Sequence, residues 1–109
     1  MMTTAVPTIE IDEFEAIGGY RFAVSIRDVA GMSRHDVTMS AETFAALRGN
    51  GCQPGDVIDA AFRFLLDRES KDSILTRFDV NVIGRYFPDF ERALPGYLAK
   101  KPAISRHPR

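Results

Sequence analysis

The chain has 109 residues, 45% hydrophobic and 27% charged, with 14 basic and 15 acidic side chains for a net charge of −1. That fits one domain of ordinary globular composition, excludes a disordered chain, and argues against a protein built chiefly to hold nucleic acid. The balance conceals a polarity: residues 1–20 carry Glu10, Asp12, Glu13 and Glu15 and no base, while residues 100–109 carry Lys100, Lys101, Arg106 and Arg109 and no acid.

Cys52 is the single cysteine, so no intramolecular disulfide can form and a reducing compartment is expected. The longest mostly apolar stretch, Ala60–Leu66, is interrupted by Arg63 and is far short of a membrane span. The N-terminal residues show neither a basic region nor an apolar run of the secretory kind. A cytoplasmic protein is expected, and the preference for Arg over Lys suggests a GC-rich bacterial source. With His35 and His107 as the only histidines, a zinc site of the usual Cys/His kind cannot be assembled, and no metal or cofactor is expected. No P-loop, EF-hand or dinucleotide-binding glycine pattern occurs, nor a nucleophile elbow.

In chain order, residues 1–17 read as an acidic, largely flexible segment, in which the alternation of Ile9 and Ile11 with polar neighbours allows a third edge strand. Gly18-Gly19 is a break. Tyr20, Phe22, Val24 and Ile26 then alternate with Arg21, Ala23, Ser25 and Arg27, the period of a half-buried strand. After a turn at Ala30–Ser33, Val37 and Met39 alternate with Asp36, Thr38 and Ser40, completing an antiparallel hairpin with a loose loop. Ser40 is a good N-cap for a helix over 41–48, which Gly49 would end. A longer helix is predicted over 54–69, with Val57, Ile58, Ala61, Phe62, Leu65 and Leu66 as its apolar stripe and Asp59–Arg63 and Arg63–Asp67 as pairs on its wet side. Asp72 would cap a helical turn holding Ile74, Leu75 and Phe78. Asp79 would cap another with Val80, Ile83 and Phe87. Pro88 restarts a helix, and Pro95-Gly96 interrupts it.

The expected fold class is therefore α+β: an N-terminal antiparallel β-hairpin followed by three to four helices, in a domain over 18–99 with a basic disordered tail at 100–109. A hairpin is marginal alone and its open edge carries unpaired backbone groups, so a homodimer is expected. The two charged ends are expected to attract one another, and removal of either is expected to leave the fold intact.

Candidates for chemistry are sparse. The loop at 48–55 is rich in glycine, and Arg48, Gly49, Gly51 and Cys52 form a weak anion- or ligand-binding set, with His35 as an available base. Ser33, Arg34, His35 and Asp36 are neighbours on one strand and do not make a triad; His35 is expected at the surface near a turn. Arg21 and Arg27 share a strand face suited to an acidic partner. Most aromatics at 62–97 read as core; Phe64 lies off its helix stripe, and a patch shared with Tyr86 or Tyr97 that binds a partner or an apolar ligand is the alternative to a core position for it.

The stretch HDVTMSAETFAALRGNGCQPGDVIDAAFRFLLDRE, residues 35–69, resembles the ribbon-helix-helix family: VTMSAETFAAL is similar to its strand and first helix, DVIDAAFRFLLDRE to its second helix. The resemblance implies a dimeric DNA-binding regulator or antitoxin whose strands pair in the major groove. The pattern departs from the family in a shorter first helix and a preceding strand. Asp36, Thr38 and Ser40 would also stand where a base-reading Arg or Lys is needed, which disfavours DNA. The reading drawn from the residues is a small non-enzymatic protein-interaction or regulatory module, with a DNA-binding regulator and a ligand-binding protein or enzyme using the 48–55 loop as alternatives.

Overall fold

The first strand, β1 (Thr8–Ala16), opens a computed structural model that describes residues 7–48 and 51–99. It is followed by β2 (Gly19–Asp28), β3 (Gly31–Ser40), α1 (Ala41–Leu47), α2 (Pro54–Leu66), a 3₁₀ turn (Lys71–Ser73), β4 (Arg77–Asp79), α3 (Asn81–Tyr86) and α4 (Phe90–Ala99). The strands form one mixed sheet in the order β1-β2-β3-β4. The class is α+β, but the strands are not all N-terminal.

Side-chain alternation sets the two faces of the sheet. Phe22, Val24 and Ile26 of β2 and His35, Val37 and Met39 of β3 are buried under the helices, while Arg21, Arg27, Arg34, Asp36 and Thr38 face outward and are exposed. β1 pairs antiparallel with β2, Ile9 opposite Ile26 and Ile11 opposite Val24, which extends the apolar face. Most of the segment expected to be flexible thus forms the edge strand. Its acids obscured this, because beyond Ile11 both faces are exposed and no alternation survives. Buried Ile9 belongs to the core, so deleting residues 1–17 removes a strand of the sheet. The β2–β3 connection is tighter than expected. Only Val29 and Ala30 lie between the strands, and the Asp28 carboxylate accepts the Ala30 N–H at 2.8 Å.

Ser40 ends β3 and caps α1, its Oγ accepting the Thr43 N–H at 3.0 Å. α1 stops at Leu47; the stop expected at Gly49 falls outside the described residues. Gln53 and Asp56 close a capping box over Pro54 at the start of α2, satisfying amides that the first turn leaves without partners. α2 is buried on nearly every side, between the sheet and α4. The pair Asp59–Arg63 is therefore not on a wet face: Asp59 is 1% exposed, and Arg63 donates to its carboxylate at 3.2 Å and to the Tyr97 carbonyl at 2.9 Å. Asp67 pairs with the Tyr97 hydroxyl instead of Arg63.

The main departure follows α2. Beyond the 3₁₀ turn, residues 74–79 do not form a helical turn. Phe78 lies in β4, which runs parallel to β3 with Val37 opposite Phe78. The spacing of Ile74, Leu75 and Phe78 fits a helical turn, but strand pairing wins: the Asp36 N–H donates to Thr76 O at 2.7 Å and the Val80 N–H to Thr38 O at 2.9 Å. α4 begins at Phe90 and runs past Pro95, which lies inside it, to Ala99.

Lys71 ties this crossover to the β2–β3 turn. It is 4% exposed, with Nζ 3.1 Å from Asp28 Oδ1. The Lys71 hydrogen bond, helped by the Ala30 N–H, holds the Asp28 carboxyl below its ordinary value of 3.8. A carboxyl whose folded value is depressed contributes stability above its unfolded value and loses it as pH falls through the folded one. Lys71→Met is therefore expected to flatten the fall of Tm below about pH 4, read by thermal denaturation across pH; an acid limb as steep as the parent's would contradict this coupling.

Candidate functional site

The sequence candidates separate into four places. Arg48 and Cys52 do meet, in a shallow groove between α1 and α4 that also holds Glu91. Gly51 has φ 74°, and Gly49 lies outside the described residues. The Arg48 guanidinium lies over the Phe44 ring at 5.1 Å, and the Glu91 carboxylate in the same groove works against an anion.

His35 is elsewhere. Its place beside Val37 and Met39 on the inner face of β3 makes it a core residue, 3% exposed, and corrects the expectation of a surface histidine. Its ring lies 5.5 Å from that of Phe62. Nδ1 is 2.7 Å from the Leu75 carbonyl and Nε2 is 2.8 Å from Ser33 Oγ. A carbonyl only accepts, so Nδ1 carries a proton and donates it to Leu75, while Nε2 is paired with the Ser33 hydroxyl. Both nitrogens are engaged, Nε2 within β3 and Nδ1 in fastening the segment before β4 to the sheet.

Arg21 and Arg27 are exposed on the open face of the sheet. Arg21 stands over the Phe14 ring at 5.2 Å, because Phe14 is its cross-strand partner. Arg27 approaches Met32 Sδ at 3.4 Å. The same face carries Glu10, Asp12 and Asp36, so it is mixed in sign.

The proposed aromatic patch divides. Phe64 is fully buried, with edge-on rings of Phe87 at 5.8 Å, Phe90 at 5.1 Å and Tyr97 at 5.9 Å. The Arg68 guanidinium closes over it at 3.8 Å. Phe64 left its helix stripe because α2 has a second buried face against α4. Tyr97 is half-buried; its hydroxyl donates to Asp67, and that carboxylate, with burial adding, holds the phenol above its ordinary value. Tyr86 alone of the three is a surface group, 68% exposed.

Tyr86 stands on the rim of an apolar groove of about 370 Å³, floored by Leu65, Ile74, Phe78 and Ile83. Leu75, 47% exposed, lies on the same groove. Sequence reading missed this feature. It exists because the chain from Ile74 to β4 is extended where a helical turn was expected and α3 is only six residues long. The adjacent pair Ile74-Leu75 was the available signal, since an extended chain turns one of two neighbours outward.

The second surface is the edge of β1. Among the described residues no strand pairs with its outer side. Nine residues long, it presents alternate unpaired backbone groups, and Glu10, Asp12, Glu13 and Glu15 lie along it.

Among the described residues no group of three or more His, Cys, Asp or Glu stands close enough to hold a metal ion, and no helix is long and apolar enough to cross a membrane. β3, the strand that would form the DNA-binding ribbon, lies between β2 and β4 and has no free flank comparable to β1. No family model matches the chain, and no curated protein and no solved structure is significantly similar to it.

Proposed function

We propose that the chain is a non-enzymatic, cytoplasmic protein-interaction module that works by strand addition to β1, and that the strand it takes is an extended basic peptide segment. The observation that carries this reading is the nine-residue edge of β1, with which no strand among the described residues pairs on its outer side, at the end of an otherwise well-packed sheet. Backbone hydrogen bonds give such a contact its affinity, and side chains on either face of the added strand give it selectivity. The acids define that selectivity. A second β1 laid alongside would bring acidic strands together, which like-charge repulsion opposes, so the edge is a poor site for self-pairing. A strand bearing Lys or Arg meets the same carboxylates favourably. The residues available for catalysis support the reading from the other side: His35 is engaged at both nitrogens, and Arg48 and Cys52 share their groove with Glu91.

Fluorescence anisotropy with a labelled nonapeptide of alternating Lys and Thr tests it. Binding is expected, weakening as salt rises. It should be lost with a Glu-Thr peptide, with an N-methylated Lys-Thr peptide that cannot donate backbone hydrogen bonds, and in the variant Glu10→Lys/Asp12→Lys. Equal binding of the charge-reversed peptides, or none up to about 1 mM, would contradict the reading.

A further inference from the structure

We infer that the chain's own residues 103–107 add to the β1 edge within one molecule, as an antiparallel strand that competes with any separate basic peptide. This rests on the reading of β1 as a site of strand addition, and it names the regulation of that site. Residues 100–109 follow α4 and lie outside the described residues.

The edge has a fixed phase. The Asp36 N–H donates to Thr76 O and the Val80 N–H to Thr38 O, so Asp36 and Thr38 turn their backbone groups toward β4. Successive residues of a strand turn those groups to opposite sides. His35 and Val37 therefore face their partners Val24 and Phe22 of β2. Ala23 and Ser25 then face Asp12 and Glu10 of β1. That leaves Ile9, Ile11 and Glu15 turned outward, and an added strand has to offer donors at every second residue opposite them.

Residues 102–108, PAISRHP, have the matching phase. Pro102 and Pro108 have no N–H to donate. They are six residues apart, so both fall on the same side of an extended chain. With Ala103, Ser105 and His107 turned toward β1, both prolines face away from the sheet, the placement that a strand edge tolerates. The opposite phase sets both prolines against the edge and loses their donors. The first phase also lays Arg106 on the outer face of the sheet, where β1 carries Glu10 and Asp12.

Charge and chain direction agree with this. Residues 100–109 hold Lys100, Lys101, Arg106 and Arg109 and no acid, whereas β1 holds Glu10, Asp12, Glu13 and Glu15 and no base. Neither Glu10 nor Asp12 forms an ion pair among the described residues. Ala99 borders Arg48 and Cys52, which follow α1, and α1 starts from Ser40 at the end of the sheet where β1 finishes. A chain leaving α4 on that side enters the edge at Ala16 and runs back along it, the antiparallel direction and the stronger pairing. The tether supplies a high effective concentration. The contact is short, so it covers the edge part of the time and a peptide in excess displaces it.

Amide exchange and peptide anisotropy of the full chain test the inference with two proline variants of equal charge. Ser105→Pro removes a donor that faces β1, and Ile104→Pro removes one that faces away. The amides of Ile9, Ile11 and Glu15 are expected to exchange several-fold faster in Ser105→Pro than in the parent, and Ile104→Pro to match the parent. The Lys-Thr peptide should bind Ser105→Pro several-fold tighter than the other two, because its competitor is gone. The parent's protection should not change with protein concentration. Equal exchange in all three proteins overturns the inference, as does an equal loss in both variants, which charge attraction without backbone pairing would give. Protection that grows with concentration also overturns it, since the segment then sits on a second copy. If exchange is equal in all three and each binds the peptide equally, the inference fails and the reading of the edge stands. If the parent is protected but even Ser105→Pro ignores the peptide, the reading of β1 as a site for a separate peptide fails and the docked segment stands.

Discussion

Phe64→Ala should lower the free energy of unfolding by about 3–5 kcal/mol, the range found when a fully buried phenylalanine is truncated. Phe64 is the point at which three elements meet: its own helix α2, Phe87 after α3, and Phe90 and Tyr97 of α4. Removing the ring leaves a cavity walled by three edge-on aromatics that cannot all close inward, because Tyr97 is held by Asp67, and Arg68, held by Asp89 at 2.8 Å, loses the ring beneath it. A domain of this size is stable by only about 5–15 kcal/mol, so the variant should sit close to unfolding at ordinary temperature. Tyr86→Ala provides the contrast: an exposed ring with no such neighbours should cost within about 0.5 kcal/mol. Urea titrations of the two variants decide the matter. Equal, small losses would mean that Phe64 is a surface residue and that α2 has a single buried face.

Gly19→Ala should be the most damaging single-methyl change, at the upper end of the roughly 1–3 kcal/mol that overpacking costs. A Cβ at Gly19 would lie 2.7 Å from the Cα of Ser40 and closer still to the Met39 carbonyl oxygen. Those are backbone atoms at the junction where β3 becomes α1, and they cannot rotate away. Moving them disturbs the Ser40 cap and the hydrogen bond at 2.9 Å from the Ala41 N–H to the Gly18 carbonyl. Gly18 differs in kind. It has φ 78° and open space around its missing side chain, so Gly18→Ala meets only the conformational penalty of about 1 kcal/mol. Thermal melts of the two alanine variants separate these causes. A Gly18→Ala variant hurt more than Gly19→Ala would show that the turn conformation, not the close approach, governs this junction.

These two predictions also mark how far the sequence could be read. β2 and β3 were legible because strand period reports the buried face directly, and Phe22, Val24, Ile26, Val37 and Met39 obey it. Ser40 was legible as a cap because a short polar side chain before an apolar helix has one obvious local use. β1 was only half legible: Ile9 and Ile11 carry the pattern, but Asp12 onward lies beyond the helical layer, where both faces are wet. β4 was not legible, since three residues show no period and their partner strand lies some 40 positions earlier in the chain. Asp59 was misplaced and Phe64 left between two readings for one reason, that a helix buried on two sides has no single stripe. The groove beside Tyr86 is a tertiary gap left by short elements, and no local pattern encodes it. The Gly18-Gly19 pair was visible as a break, but its two glycines have different physical causes that only the packing separates.

The central claim is that β1 offers a backbone edge to a basic strand, and amide hydrogen exchange over Thr8–Ala16 with and without the Lys-Thr peptide tests it most directly. Alternate residues of an antiparallel strand point both backbone groups the same way, so the account predicts that only those amides of β1 facing away from β2 gain protection when the peptide is added. Uniform protection across the chain, or none along β1 with the peptide bound, would contradict it.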